Sequence, residues 1–288
     1  MISNFNYKPI SYFSMTFLAT YLLWFAGAYV SFREDINELY MLLMLPGLMA
    51  PFLVSVAMIW RSKNSELKKD FVNRLVNHRL IQPKMLPAFL FIMPLSVLAS
   101  IAISLLFGES LSQFQLAEGF SFSMGSVPVL LIFLLAATFE ELGWRGYAFD
   151  SLQSRFNYLT ASIIFSLLWS LWHFPLIFVK GSYQYEIIHQ NIWFGLNFFV
   201  SIIPMGVIIS WICLKNRKSV IAAIIFHFII NMSQEILEIS QTTKCIQTVV
   251  LIVVVALIVA TEKEMFFAKK HLPVSGNLLN SIAPVPLA

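Results

Sequence analysis

Long apolar segments, separated by short polar connections, follow one another along almost the whole sequence. A helix that crosses the hydrocarbon core of a bilayer needs about 20 apolar residues. Eight segments approach or reach that length: 13–31, 39–60, 85–107, 127–141, 158–179, 192–214, 219–237 and 245–260. Two of them, 127–141 and 245–260, are short, and we expect the first to continue as a helix through Arg155. The pattern predicts an all-α membrane protein with about eight transmembrane helices.

The composition agrees with this pattern. Hydrophobic residues make up 58% of the 288-residue chain and charged residues 12%, whereas a soluble domain carries about 25% charged residues. We expect one integral-membrane domain over residues 1–275, with a catalytic core at about 125–235, and a flexible tail at 276–288. The net charge of +4 gives no indication of nucleic-acid binding, and no nucleic-acid partner is expected.

Basic residues are distributed very unevenly between the two sets of connections. With the N-terminus inside the cell, all of the 19 Lys and Arg residues except Arg33, Lys180 and Lys244 fall on the cytoplasmic side. An excess of Lys and Arg in cytoplasmic connections is the usual determinant of orientation. We therefore expect a multi-pass protein of the cell membrane with both termini in the cytoplasm.

The connection at 61–84 is the richest in basic residues, and an amphipathic helix is predicted in it at about 67–75. Such a segment is typical of a connection that sets orientation, with its helix at the membrane interface. Alternatively, it attracts anionic lipid or a substrate at the membrane surface. Membrane lipid is therefore an expected partner.

Two adjacent carboxylates, Glu140 and Glu141, end the fourth apolar segment. One charge at the centre of a membrane helix costs ~2.5–3.5 kcal/mol on insertion scales, so such a pair needs a partner, a hydrated cavity or a function. Arg145 lies four residues after Glu141 and shares its helix face. Glu140 lies about 140° from Arg145 around the helix. We therefore predict a structural Glu141–Arg145 ion pair, with Glu140 available for chemistry.

Two histidines and an asparagine lie in other apolar segments. His227 and Asn231 are four residues apart, on one face of the seventh predicted span, at a depth that agrees with that of Glu140. His173 is ~22 Å from the start of the fifth span, which matches only if the first turns of that span protrude into the cytoplasm. Each residue alone is typical of helix–helix hydrogen bonding. Together with two carboxylates, they predict a hydrated, functional site.

Three short motifs in this order carry a resemblance to a known family: Glu-Glu-x-x-x-Arg, aromatic-x-x-x-His and His-x-x-x-Asn. The matching residues are Glu140, Glu141, Arg145, Trp169, His173, His227 and Asn231. The chain resembles the type II CAAX prenyl endopeptidases and the wider family of CAAX-protease and bacteriocin-processing intramembrane enzymes, over about residues 125–235. Trp169 replaces the commoner Phe, and we expect it to form an aromatic wall that leaves the chemistry intact.

The resemblance implies an intramembrane endopeptidase that removes the C-terminal tripeptide after a prenylated cysteine. A prenylated protein or peptide C-terminus is therefore the expected partner. Glu141 and Arg145 would support the cytoplasmic end of the fourth span; alternatively, Arg145 receives the substrate's terminal carboxylate. Because the polar residues cluster towards one side, we expect the active site to open towards the cytoplasm.

The residues fit the chemistry of peptide hydrolysis that the resemblance implies. A desolvated Glu140 is a suitable general base for water. His173 can share that water and pass a proton to the leaving amine. His227 and Asn231 can donate hydrogen bonds to the developing oxyanion, a role worth ~3–4 kcal/mol per donor.

Metal dependence stays open at this point. Glu140, His173 and His227 could bind zinc, which takes three protein ligands plus water in catalytic sites. The His-Glu-x-x-His pattern of common zinc peptidases is absent, and Asn231 is a hydrogen-bond donor rather than a zinc ligand, so we expect no metal cofactor. The alternatives are a zinc-dependent intramembrane protease that acts on other peptides, of the bacteriocin or immunity type, and a proton-coupled transporter.

Overall fold

The computed structural model describes residues 5–36, 40–119 and 128–267, and α-helices account for most of these ranges. Within them, extended pairing is limited to one isolated bridge between Leu116 and Leu237. The helices are α1 (Pro9–Ser31), α2 (Tyr40–Arg61), α3 (Ser65–Val76), α4 (Leu86–Leu105), α5 (Val129–Gly143), α6 (Phe149–Gln153), α7 (Tyr158–Trp172), α8 (Tyr183–Gln190), α9 (Ile192–Lys215), α10 (Val220–Glu235), α11 (Gln241–Thr261) and α12 (Lys263–Phe267). The all-α prediction is confirmed for the described residues.

Among the described residues, six helical segments are long and apolar enough to cross a membrane: α1, α2, Pro83–Leu105, Tyr158–Phe178, α9 and α11. The chain is therefore a multi-pass membrane protein. The fourth and seventh predicted spans correspond to α5 and α10, which have 15 and 16 residues. The count of eight spans stays a prediction, and the predicted tail at 276–288 lies outside the described residues.

The helix that carries the two carboxylates continues well beyond them, as the sequence predicted. A π-helical turn, Trp144–Ala148, follows α5 directly and leads into α6 without a break. Gly143 allows α5 to touch α2, because a Cβ at this position would lie 2.3 Å from the carbonyl carbon of Pro51. The close approach holds the end of α5 against α2, one turn away from Glu140.

The extension through α6 also explains the depth of His173. Phe149 on α6 lies 5.6 Å from Tyr158 and 6.1 Å from Phe165, measured between ring centroids. The first turns of α7 therefore lie beside α6, beyond the end of the fourth predicted span. His173, which caps the C-terminal end of α7, consequently reaches the level of Glu140.

The amphipathic helix predicted at 67–75 is present as α3, but its polar residues are not all at the surface. Asp70 and Arg74 are buried together with Leu67 and Phe71. Arg74 forms an ion pair with Asp150 of α6 at 2.5 Å and donates a hydrogen bond to the backbone carbonyl of Arg145. The interfacial interpretation missed these contacts, because a partner 76 positions away leaves no local pattern.

Asp150 is the centre of this buried cluster. Lys218, in the turn between α9 and α10, forms a second ion pair with it at 2.7 Å. Burial by itself would raise the pKa of Asp150, but the positive charges of Lys218 and Arg74 outweigh it and lower that pKa. The cluster ties α3, α6 and the turn before α10 together at the end of the molecule that carries the basic connections.

Candidate active site

Glu140 is held by two tryptophans at the end of α5. The indole N–H of Trp169 donates to Glu140 Oε2 at 2.7 Å, and that of Trp144, one turn along the same helix, donates to the same oxygen at 3.3 Å. The side chain is 5% exposed and lines a cavity. None of the other described residues donates a hydrogen bond to Oε1. One oxygen is therefore positioned by the protein, and the other is available to water.

Glu141 has a different environment from its neighbour. It is fully buried, and Arg145 Nη1 lies 2.9 Å from its Oε2. His227 Nδ1 lies 2.9 Å from its Oε1. The predicted Glu141–Arg145 ion pair is present, and the contact with His227 joins it to α10.

Arg145 is enclosed by protein rather than presented to a substrate. Its guanidinium lies 4.3 Å from the centroid of the Phe165 ring, and its Nη2 donates to Ser210 at 3.2 Å. The residue is 1% exposed and does not line the cavity that contains Glu140. In this structure Arg145 is thus part of the buried packing around Glu141, and its role in the enzyme stays a prediction.

The two histidines are oriented through their Nδ1 atoms. His173 Nδ1 lies 2.8 Å from the backbone carbonyl of Trp169, to which it can only donate. His227 Nδ1 faces Glu141. Both imidazoles line the cavity, as does Asn231. The hydrogen bond at Nδ1 determines whether Nε2 of the same ring is a donor or an acceptor. In the neutral His173 ring, Nε2 is then an acceptor.

The cavity that contains these groups has a volume of about 430 Å³. Most of its wall is apolar, which is usual for sites that bind small or extended ligands. The apolar side chains of its wall include Met41, Met44, Leu45 and Leu48 from α2, Ile132, Leu135 and Ala136 from α5, and Phe198, Ile202 and Met205 from α9. The polar residues predicted on three separate helices therefore meet inside one apolar chamber.

The cavity extends towards one end of the helical bundle. Met41, Ile132, Phe194 and Gln241, which line it, belong to the first turns of α2, α5, α9 and α11. At the opposite end, where α2 runs into the 61–84 connection, the Glu141–Arg145 pair and the Asp150 cluster fill the interior. We call the end of the cavity at the first turns of these four helices the open end; it is remote from the most basic connection.

Three of the cavity residues are also the alternative zinc ligands. Glu140, His173 and His227 line the same cavity. In the part of the chain that the structure describes, however, no three His, Cys, Asp or Glu side chains converge closely enough to hold a metal ion. The absence of a metal cofactor stays a prediction.

The tryptophan donors were not anticipated from the sequence. Trp169 was expected to be an aromatic wall, yet its indole N–H contacts the carboxylate directly, which a Phe at that position could not do. Its partner is 29 positions away, so no local spacing pointed to it. Trp144 did leave a signal, because it lies four residues after Glu140 on the same helix.

Acid–base side chains enclosed among membrane helices are compatible with an intramembrane hydrolase. A profile of the family described as Type II CAAX prenyl endopeptidase, Rce1-like, matches residues 122–233. CAAX prenyl protease 2 of Methanococcus maripaludis is 62% identical over 269 residues, which is 93% of this chain and 99% of that protein.

The chain therefore belongs to the type II CAAX prenyl endopeptidase family. It is a multi-pass membrane peptidase of the CAAX type. Family membership identifies the chain as an enzyme. It favours this function over the proton-coupled transporter that intramembrane Glu and His residues also allow.

Proposed function

We propose that this peptidase removes the C-terminal tripeptide that follows a prenylated cysteine, with a water molecule activated by Glu140 and His173. The observation that supports this most directly is the asymmetry of Glu140. Two indoles engage its Oε2, while the residue lines a cavity shared with both histidines. A carboxylate anchored through one oxygen keeps the other in place as a general base.

The hydrolysis can be written with groups of the chain alone. Glu140 takes a proton from water as the water oxygen attacks the carbonyl carbon of the prenylated cysteine. That proton then passes to the nitrogen of the leaving tripeptide, with His173 Nε2 sharing it on the way. The products are a new carboxylate on the cysteine and a free tripeptide, so that one water molecule is consumed.

His227 and Asn231 would stabilise the oxyanion of the tetrahedral intermediate. They lie one helical turn apart on α10, and both line the cavity. Because His227 Nδ1 faces the Glu141 carboxylate at 2.9 Å, a donor at Nε2 requires the doubly protonated ring. Each such donor typically contributes ~3–4 kcal/mol to transition-state stabilisation.

The isoprenoid chain would lie along the apolar wall that α2 and α5 build. Leu45 and Leu48 of α2 and Ile132 and Leu135 of α5 all line the cavity. Burial of apolar area contributes about 25 cal/mol per Å². A farnesyl or geranylgeranyl chain can therefore supply much of the binding energy and hold the cysteine close to Glu140.

The experiment that tests this proposal uses the purified protein in detergent with a farnesylated CAAX peptide, a matched peptide that lacks the farnesyl group, and a chelator. We expect release of the tripeptide from the farnesylated peptide only, with and without the chelator. Cleavage of the unmodified peptide at the same rate would favour a peptidase for other substrates. Loss of activity on chelation, with recovery on addition of zinc alone, would overturn the metal-free mechanism and leave the peptidase assignment intact.

The sequence led to two predictions about the orientation of the protein in the membrane, and they imply opposite orientations of the helical bundle. The distribution of Lys and Arg places both termini and the 61–84 connection in the cytoplasm. The expectation that the active site opens towards the cytoplasm places the other end of the bundle there, because the cavity extends away from that connection. The hydrolytic chemistry is the same in either orientation.

A further inference from the structure

One basic residue, Lys244, stands at the open end of the catalytic cavity. Among the described residues that line the cavity, it is the only Lys or Arg. Lys244 is on the first turn of α11, and its Nζ donates to the hydroxyl of Tyr183 at 3.1 Å. The Tyr183 hydroxyl in turn donates to Gln241 Oε1 at 3.0 Å. The ammonium group is thus oriented by a polar pair and retains further donors, since it carries three N–H groups.

The distance between Lys244 and the catalytic residues along the bundle follows from the pairing of α10 with α11. Gln234 of α10 and Gln247 of α11 are joined by a hydrogen bond of 2.9 Å, so they lie at one level. Asn231 is three residues deeper than Gln234, and Lys244 is three residues nearer the open end than Gln247. Each step of three residues is ~4.5 Å along a helix, which places Lys244 ~9 Å beyond Asn231.

This separation matches the length of the leaving group in the proposed reaction. Three residues in an extended conformation span at most ~10–11 Å. A substrate with its scissile carbonyl beside Asn231 would therefore bring its C-terminal carboxylate to the level of Lys244.

We propose that Lys244, positioned by Tyr183 and Gln241, binds the free C-terminal carboxylate of the substrate. This inference rests on the proposed function, and it gives the enzyme a means of measuring the length of the tail that it removes. The role falls to Lys244 rather than Arg145, because Arg145 is enclosed by Glu141, Ser210 and Phe165.

The test compares two farnesylated CAAX peptides that differ only at the C-terminus, one a free acid and the other a carboxamide. With the wild-type protein, we expect the KM of the amide to exceed that of the acid by about tenfold, as for the loss of one charged hydrogen bond. In Lys244→Met the ratio of the two KM values should fall to near one. Lys244→Arg should keep most of the discrimination.

Lys180→Met is the matched control, because it removes an exposed lysine from the same end of the bundle that does not line the cavity. It should keep the wild-type ratio. Tyr183→Phe provides a second variant, and we expect it to reduce the ratio by removing the hydroxyl that orients Lys244.

Equal KM values for acid and amide with the wild-type protein would overturn the inference while the proposed function stands. A Lys244→Met protein that binds both peptides more weakly by the same factor would overturn it as well, since that result indicates a structural role. Failure of the wild-type protein to cleave either peptide would instead contradict the proposed function, and the inference with it.

Discussion

The indole N–H of Trp169 donates a 2.7 Å hydrogen bond to Oε2 of Glu140, across the interface between α7 and α5. The same tryptophan carries His173 one turn further on, and its backbone carbonyl accepts from the Nδ1 of that histidine. Trp169 therefore positions both groups that we assign to the activation of water. The predictions below test this arrangement and its supporting contacts.

Trp169→Phe removes the hydrogen bond and keeps an aromatic ring. We expect kcat to fall about tenfold or more, because hydrogen bonds to charged groups contribute ~1.5–3 kcal/mol, while KM changes little. Steady-state cleavage of a farnesylated CAAX peptide measures both constants. Trp211→Phe, which alters a tryptophan of α9 outside the cavity, is the control. An unchanged kcat in Trp169→Phe would show that Trp144 alone suffices to orient Glu140.

The neighbouring substitutions Glu140→Gln and Glu141→Gln separate chemistry from stability. Glu140→Gln should abolish peptide cleavage and leave the melting temperature close to that of the wild type, because its indole contacts persist. Glu141→Gln should destabilise the protein by ~3–5 kcal/mol, since it leaves the buried Arg145 without its anionic partner. Melting curves and single-turnover cleavage would be recorded for both proteins. Retained turnover in Glu140→Gln would remove Glu140 from the mechanism.

Asn231→Ala tests the oxyanion assignment. An oxyanion donor acts chiefly in the transition state, so kcat should fall by roughly 10²–10³ with a much smaller change in KM. Asn197→Ala, on another helix that lines the cavity, shows the effect of deleting a carboxamide elsewhere on the wall. A rise in KM at constant kcat would indicate that Asn231 binds the substrate rather than the transition state.

We expect the Asp150 cluster to make the folded protein less stable at acid pH. The pKa of Asp150 is lowered in the folded protein, so its contribution to stability is complete above the unfolded value of about 3.9 and is lost as the pH falls through the lower folded value. Melting temperatures between about pH 3 and 7 should drop at the acid end in the wild type. Asp150→Asn should be less stable near neutral pH and should lose this part of the pH dependence. The exposed Asp35→Asn should behave as the wild type.

Cysteine labelling at the two ends of the bundle tests the orientation of the protein in the membrane. Single cysteines would replace the exposed Lys69 on α3 and the exposed Lys180 at the other end, in a protein whose Cys213 and Cys245 are changed to serine. From the distribution of basic residues we expect an impermeant reagent to label position 180 from outside and position 69 only from the cytoplasm. The reverse result would contradict the positive-inside prediction and place the open end of the cavity in the cytoplasm.

Local relationships in this protein were determined by the sequence alone. The long apolar segments predict helices, because a helix satisfies all its backbone hydrogen bonds within one membrane-spanning segment. The Glu141–Arg145 pair follows from a spacing of four residues on one helix, and the continuation of α5 towards Arg155 follows from the same periodicity. The candidate residues on three helices were likewise identified from their types and positions.

The tertiary structure alone decided how the helices rotate and tilt against one another, and therefore which side chains meet. The contacts from Trp169 to Glu140 and from His227 to Glu141 join positions 29 and 86 residues apart. The place of Arg74 in the Asp150 cluster and the direction in which the cavity opens depend on packing in the same way. Periodicity assigns a residue to a face of its own helix, whereas the partner of that face is set by close contacts such as that between Gly143 and Pro51.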